Sequence, residues 1–78
     1  MDRVTVFLRT SLFTFGSADS HVPAGVMAIV GRVVEGPSGG LLLRAGKFLD
    51  ERGRPLGEQE ITLHLPWSKI DHLVVHED

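Results

Sequence analysis

Residues 60–75, EITLHLPWSKIDHLVV, decide the fold class of this chain. Apolar and polar side chains alternate up to Leu65, and Pro66 then stops the segment, because proline has no N–H to donate to a sheet. The spacing of Ser68 and Asp71 predicts one helical turn, with the Ser68 hydroxyl as its cap, before a second apolar strand. Very small β-barrels close through such a corner, so the segment predicts an all-β fold.

Alternating patterns and turn residues divide the rest of the chain. The predicted strands are residues 4–9, 26–35, 41–49, 59–65 and 73–76. Glycine inside a strand often marks a bend or a bulge, so we expect a bend at Gly31 and a break at Gly46. The polar segment 16–25 predicts a long loop, and the sequence GPSGG at 36–40 predicts a turn. Residues 1–78 are therefore expected to form one small, five-stranded, strongly bent antiparallel barrel.

Size, charge and cysteine content limit the functional classes. The chain has 78 residues and no cysteine, and eight Lys and Arg stand against ten Asp and Glu. A domain this small buries only about 60–65% of its unfolded surface. Since disulfides are excluded, self-association is the expected way to bury more. No secretory signal is visible, and no apolar run approaches the ~20 residues of a membrane helix, so we expect a cytoplasmic protein that does not enter a membrane.

The chain resembles the Sm-like family over most of its length outside the 16–25 loop. The matching segments are VTVFL (4–8), IVGRV (29–33), GLLLR (40–44) and LPWSKIDHL (65–73). The resemblance implies a five-stranded bent sheet of the wider SH3-like class, rings of subunits joined edge to edge, and RNA bound around a central pore. The family's base-reading Asn would fall at Gly40 and its Arg-Gly-Asp/Asn corner at residues 66–68, so both RNA-reading motifs are absent.

Three side chains are candidates for contacts with nucleic acid: Trp67, Lys69 and Arg44. An aromatic residue at the corner can stack on a base, and the cations can pair with phosphates. The alternatives are that Trp67 covers one end of the barrel and that Lys69 is simply solvated. Arg44 also belongs to a charged hairpin with Lys47, Arg52 and Arg54. Because acidic residues are interleaved there, we expect a self-neutralised hairpin tip rather than a phosphate-binding edge.

Metal binding and catalysis have little support in the sequence. His72 and His76 are four residues apart, which on a strand separates them by about 13 Å and excludes a shared metal. Ser68, Asp71 and His72 are residue types of a nucleophilic triad, but their adjacency in sequence does not produce its geometry. We therefore predict no enzyme activity, no metal and no cofactor.

The sequence thus favours a non-enzymatic module for oligomerisation or protein interaction. Barrels with exposed edges commonly associate by adding strands across subunits, so we expect a homo-oligomer or a protein partner. The expected interface residues are Ile61, Leu63, Leu73, Val74 and Val75, with Phe7 or Phe13 as further surface contacts. The alternative is an RNA- or DNA-binding Sm-like ring that acts through shape and local positive charge.

Overall fold

Five antiparallel strands form the fold of this chain. The structure, a computed structural model, describes residues 3–12, 23, 25–34 and 39–76. The strands are β1 (Arg3–Leu8), β2 (Ala28–Val34), β3 (Gly40–Leu49), β4 (Pro55–Pro66) and β5 (Ile70–His76). A short 3-10 helix, Trp67–Lys69, joins β4 to β5, and we call it the corner turn. The predicted 16–25 loop, the 36–40 turn and Phe13 lie wholly or largely outside the described residues.

The strands belong to one sheet with the order β4-β3-β2-β1-β5. The prediction of an all-β, five-stranded antiparallel fold is therefore confirmed. The sheet is not closed into a barrel: within the described residues β4 pairs only with β3, and β5 pairs only with β1. Both outer strands consequently keep one side of their backbone outside the sheet.

Strands β4 and β5 begin well before their predicted starts. Strand β4 begins at Pro55 rather than at residue 59, because the hairpin tip is tight and β3 and β4 already pair at Leu49 and Pro55. Strand β5 begins at Ile70, directly after the corner turn. The predicted cap is wrong, since Pro66 occupies the N-cap position of the corner turn and no side chain caps it.

Alternation along each strand separates two faces of the sheet. The face that carries the Val4 and Val6 side chains is buried, and we call it the inner face; the opposite face is the outer face. Phe48, Ile29 and Leu43 are fully buried at the centre of the inner face. Among the residues that the structure describes, the core cluster consists of Val4, Val6, Leu8, Val26, Ile29, Leu41, Leu43, Ala45, Phe48, Leu65 and Ile70.

Gly31 permits a close approach of β2 to the β3 backbone. A Cβ atom at this position would lie 2.4 Å from the carbonyl oxygen of Arg44, a distance that real Cβ atoms do not reach. The pairing of β2 with β3 shifts register between Val30 and Gly31. The pairing of β3 with β4 shifts across Gly46, between Ala45 and Lys47, and again between Phe48 and Leu49. Such bulges bend and twist a sheet, so the irregularity predicted at Gly31 is confirmed. The break predicted at Gly46 is wrong, because β3 continues through this residue as one strand, with a shift of register instead of an interruption.

Candidate functional site

Three arginines stand side by side on the outer face. Arg3 of β1 is paired with Arg32 of β2, and Arg32 is paired in turn with Arg44 of β3. Directly paired residues of antiparallel strands project from the same face, about 4.5–5.5 Å apart at their Cα atoms. We call Arg3, Arg32 and Arg44 the arginine row. The row continues to His76 on β5 and Thr62 on β4, so it crosses the whole sheet.

A groove of about 210 Å³ opens along the arginine row. Its charged lining consists of Arg3, Arg32, Arg44, Lys47 and Glu60, and its floor of Val30, Gly31, Ala45 and Gly46. Among the described residues that line it, four are cations and one is a carboxylate. We call this feature the basic groove, because its local charge is opposite to the formal net charge of −2 of the whole chain.

Like charges directly opposite each other on neighbouring strands destabilise a sheet. The arginine row contains two such pairs, Arg3 with Arg32 and Arg32 with Arg44. In the described part of the chain, Arg3 and Lys47 form no ion pair. The sheet thus concentrates positive charge on its outer face.

Contacts from β4 orient Arg44. Its Nη1 donates a hydrogen bond of 3.1 Å to the Thr62 hydroxyl, and its Nη2 lies 3.6 Å from Oε2 of Glu60. The side chains of Arg44 and Glu60 are 49% and 81% exposed. Ion pairs this exposed contribute only about 0–1 kcal/mol, so an anionic ligand would compete easily with Glu60 for the guanidinium.

The three predicted nucleic-acid residues lie on different parts of the surface. Arg44 is paired with Thr62 of β4. Trp67 directly follows the last residue of β4, which lies about 13 Å along the strand from Thr62. Trp67 is 51% exposed. Lys69 Nζ donates to the Thr10 hydroxyl at 2.7 Å and to the Ser11 carbonyl at 2.8 Å, so it fastens the segment after β1 to the corner turn.

The tip of the β3–β4 hairpin neutralises its own charge, as expected from the sequence. The Asp50 carboxylate accepts hydrogen bonds from the backbone N–H groups of Arg52 and Arg54, at 2.8 and 2.9 Å, and from Arg54 Nε at 3.2 Å. These bonds, above all the one from the Arg54 backbone, hold the pKa of Asp50 below its ordinary value of 3.8. Gly53 has a φ of 79°, which the tight turn requires and glycine adopts without strain.

The predicted interface residues fall on opposite edges of the sheet. Ile61 and Leu63 lie on β4, partly buried against the core. Leu73 of β5 is likewise partly buried against the core, whereas Val74 and Val75 are 46% and 49% exposed. Phe7, a further predicted surface contact, is half-buried and stacks on His72, with ring centroids 4.5 Å apart.

The described histidines have separate surroundings. His72 Nδ1 lies 2.7 Å from Asp71 Oδ2, and His76 Nε2 lies 2.7 Å from the Thr5 hydroxyl. His64 is on β4, at the opposite edge of the sheet from both. In the residues that the structure covers, no group of three or more His, Asp or Glu side chains has the arrangement of a metal site.

The basic groove was not predicted from the sequence. Arg44 and Lys47 were identified within the charged hairpin, but Arg3 and Arg32 are 29 positions apart in the chain. Only the β1–β2 register brings them together, and the β2–β3 register, which shifts between Val30 and Gly31, adds Arg44. The available signal is an arginine inside two of the predicted strands, Arg32 and Arg44, and one directly before the first, Arg3.

Comparison of the chain with models of protein families, with curated proteins and with solved structures finds no match in any of the three. Within the described residues, no helix has the length and apolar character needed to cross a membrane. The two sheet edges and the basic groove are therefore the features of the molecule that indicate a function.

Proposed function

We propose that this protein is a non-enzymatic oligomerisation and protein-interaction module that associates through its sheet edges. The observation that carries the proposal is the open sheet: within the described residues, β4 and β5 each bond to one neighbour only. An edge strand offers a row of backbone N–H and C=O groups to another chain. Addition of a strand at such an edge is a common mode of protein recognition.

The two edges differ in character, which favours a head-to-tail contact. Strand β4 has 12 residues and carries Glu58 and Glu60, whereas β5 has 7 residues and exposes Val74 and Val75. Charged residues such as those of β4 commonly protect an edge from pairing with a copy of itself. Pairing of β4 with β5 of a second copy would produce a heterologous contact, which closes into a ring or continues as a filament.

The same proposal includes the finer identity expected from the sequence. An Sm-like relationship accounts for the strand order, the bent second strand and the short corner turn between the last two strands. In that arrangement, Ile61, Leu63 and Leu73 would pack beside the new strand pair, and Val74 and Val75 would be covered by the neighbouring subunit. A cytoplasmic location is part of this proposal.

Light scattering behind a sizing column tests the assembly. We expect the wild-type protein to elute as an oligomer at micromolar concentration, and Val74→Asp to elute at lower mass, because an unpaired carboxylate would be buried in the contact. Arg52→Gln changes the charge by the same amount at the exposed hairpin tip and should retain the wild-type mass. A monomeric wild-type protein, or equal masses for all three proteins, would contradict the proposal.

A second candidate function is RNA or DNA binding by the assembled ring. The observation that favours it is the local positive charge of the arginine row. The same light-scattering experiment in the presence of short poly-U and poly-A tests this candidate. An increase in mass that falls steeply with salt supports it, and an unchanged mass at low salt excludes it.

A further inference from the structure

We infer that the basic groove is a binding site for a phosphate or diphosphate group. The site consists of the arginine row, with Lys47 as an additional cation, and the sequence alone did not identify it. The inference is independent of the proposed assembly, because every residue of the groove belongs to one copy of the chain. The groove would recognise the phosphate group itself, whether that group belongs to a small phosphorylated molecule or to a nucleic acid strand.

The side chains of the row suit phosphate better than other anions. A guanidinium group presents its N–H donors in a planar fork that matches two phosphate oxygens at once. Three such forks cross adjacent strands, so Arg3 and Arg44 lie about 10 Å apart with Arg32 between them. A diphosphate in the groove would contact two neighbouring forks, and a single phosphate would lie between them.

The size of the groove limits what enters it. A volume of about 210 Å³ is below the ~300–1,000 Å³ typical of pockets that enclose a whole drug-sized ligand. The groove therefore takes the charged group and leaves the rest of the ligand in solvent. Gly46 contributes no side chain to the lining, so the group can approach the β3 backbone closely.

The electrostatics of the row give the site a reason to bind. A bound dianion would be attracted by three guanidinium groups aligned on adjacent strands. Glu60 acts in the opposite direction, because its carboxylate lines the groove and competes for Arg44 at 3.6 Å. Loss of this carboxylate should consequently strengthen binding, an outcome that a purely structural role of the row does not predict.

The test measures the affinity of the full chain for inorganic pyrophosphate by calorimetry, and for labelled oligo-U and oligo-dT by fluorescence anisotropy. We expect pyrophosphate to bind at low salt, Arg44→Gln to weaken binding about tenfold or more, and Glu60→Gln to tighten it severalfold. Arg52→Gln, which removes the same charge at the hairpin tip, should bind like the wild type. Thermal unfolding of each variant establishes that it is folded.

Further variants and ligands complete the test. If Arg44→Gln does not fold, Arg3→Gln replaces it, since Arg3 forms no ion pair among the described residues. If the oligonucleotides bind more tightly than pyrophosphate, and the logarithm of their binding constant falls with the logarithm of the salt concentration by about 0.7 per contacted phosphate, the group belongs to a nucleic acid strand. If pyrophosphate binds as tightly as the oligonucleotides do for each phosphate contacted, the group belongs to a small molecule. Equally strong binding of polyglutamate, or a loss of affinity in Arg52→Gln equal to that in Arg44→Gln, would overturn the inference.

Discussion

The hydroxyl oxygen of Thr5 lies 2.7 Å from Nε2 of His76, which links β1 to β5 across the outer face. The two residues are diagonal neighbours rather than direct partners, because Thr5 pairs with Val74 and His76 pairs with Arg3. Diagonal side chains on adjacent strands remain within reach of each other when one of them is long. His76 is thus held between the buried Thr5 and the end of the arginine row.

Thr5→Val should lower the free energy of unfolding by about 1 kcal/mol, because the hydrogen bond is lost while the shape of the side chain is kept. Thr5→Ser retains the hydroxyl and is the matched variant that separates the bond from the packing. Urea denaturation measures both. A Thr5→Val protein as stable as the wild type, beside a less stable Thr5→Ser protein, would mean that the methyl group matters rather than the hydrogen bond.

Gly31→Ala should destabilise the protein by about 2–3 kcal/mol, because the new Cβ would lie 2.4 Å from the Arg44 carbonyl oxygen in a contact that backbone atoms cannot avoid. Gly46→Ala is the control within the same sheet. Its nearest atom would be the Val30 carbonyl oxygen at 3.8 Å, an ordinary contact. Urea midpoints should therefore separate the two variants clearly, and equal midpoints would contradict the close approach of β2 and β3.

Stability should decrease in acid partly through Asp50. Its pKa is lower in the folded chain than the ordinary value of 3.8, so the carboxylate stabilises the fold above that pH. This contribution is lost as the pH falls through the lowered pKa. Urea unfolding between about pH 2 and 6 should show a shallower decline for Asp50→Asn than for the wild type. Glu51→Gln, at the adjacent exposed position, should follow the wild-type curve; if it flattens the curve equally, the assignment to Asp50 is wrong.

Lys69→Met should lower the free energy of unfolding by about 1 kcal/mol, because two hydrogen bonds to Thr10 and Ser11 are lost. Removal of the charge should leave the affinity for pyrophosphate unchanged, since Lys69 does not line the basic groove. Lys47→Met should give the reverse pattern, with weaker pyrophosphate binding and a stability within about 0.5 kcal/mol of the wild type. Equal effects of both substitutions on binding would show that anions are attracted by overall charge alone.

Local sequence rules predicted the strands well because they depend on neighbouring residues. The alternation around Val4 and Val6 predicts a strand from a few adjacent residues. The glycines at positions 31 and 46 likewise indicate, from single positions, where the pairing of the strands is irregular. The charged hairpin was likewise predictable, since Asp50, Arg52 and Arg54 interact over four residues.

Long-range register and closure were not predictable in the same way. The arginine row requires Arg3, Arg32 and Arg44 to be aligned by two pairings, and each bulge moves the alignment by one residue. The open edges depend on the path of β4 and β5 relative to each other, which no local pattern determines. The hydrogen-bonding partners of Lys69 were equally unpredictable, because they precede it by 59 and 58 positions in the chain.

The central place of β1 between β2 and β5 has a consequence for how the protein is made. Strand β1 is synthesised first, yet one of its two partners is the last strand of the sheet to emerge from the ribosome. Until then, β1 presents an open, β-branched edge to every other nascent chain, and contacts between such distant segments form slowly. Its vulnerability to aggregation therefore lies in the interval before β5 is complete, and slower translation of the final segment would prolong that interval.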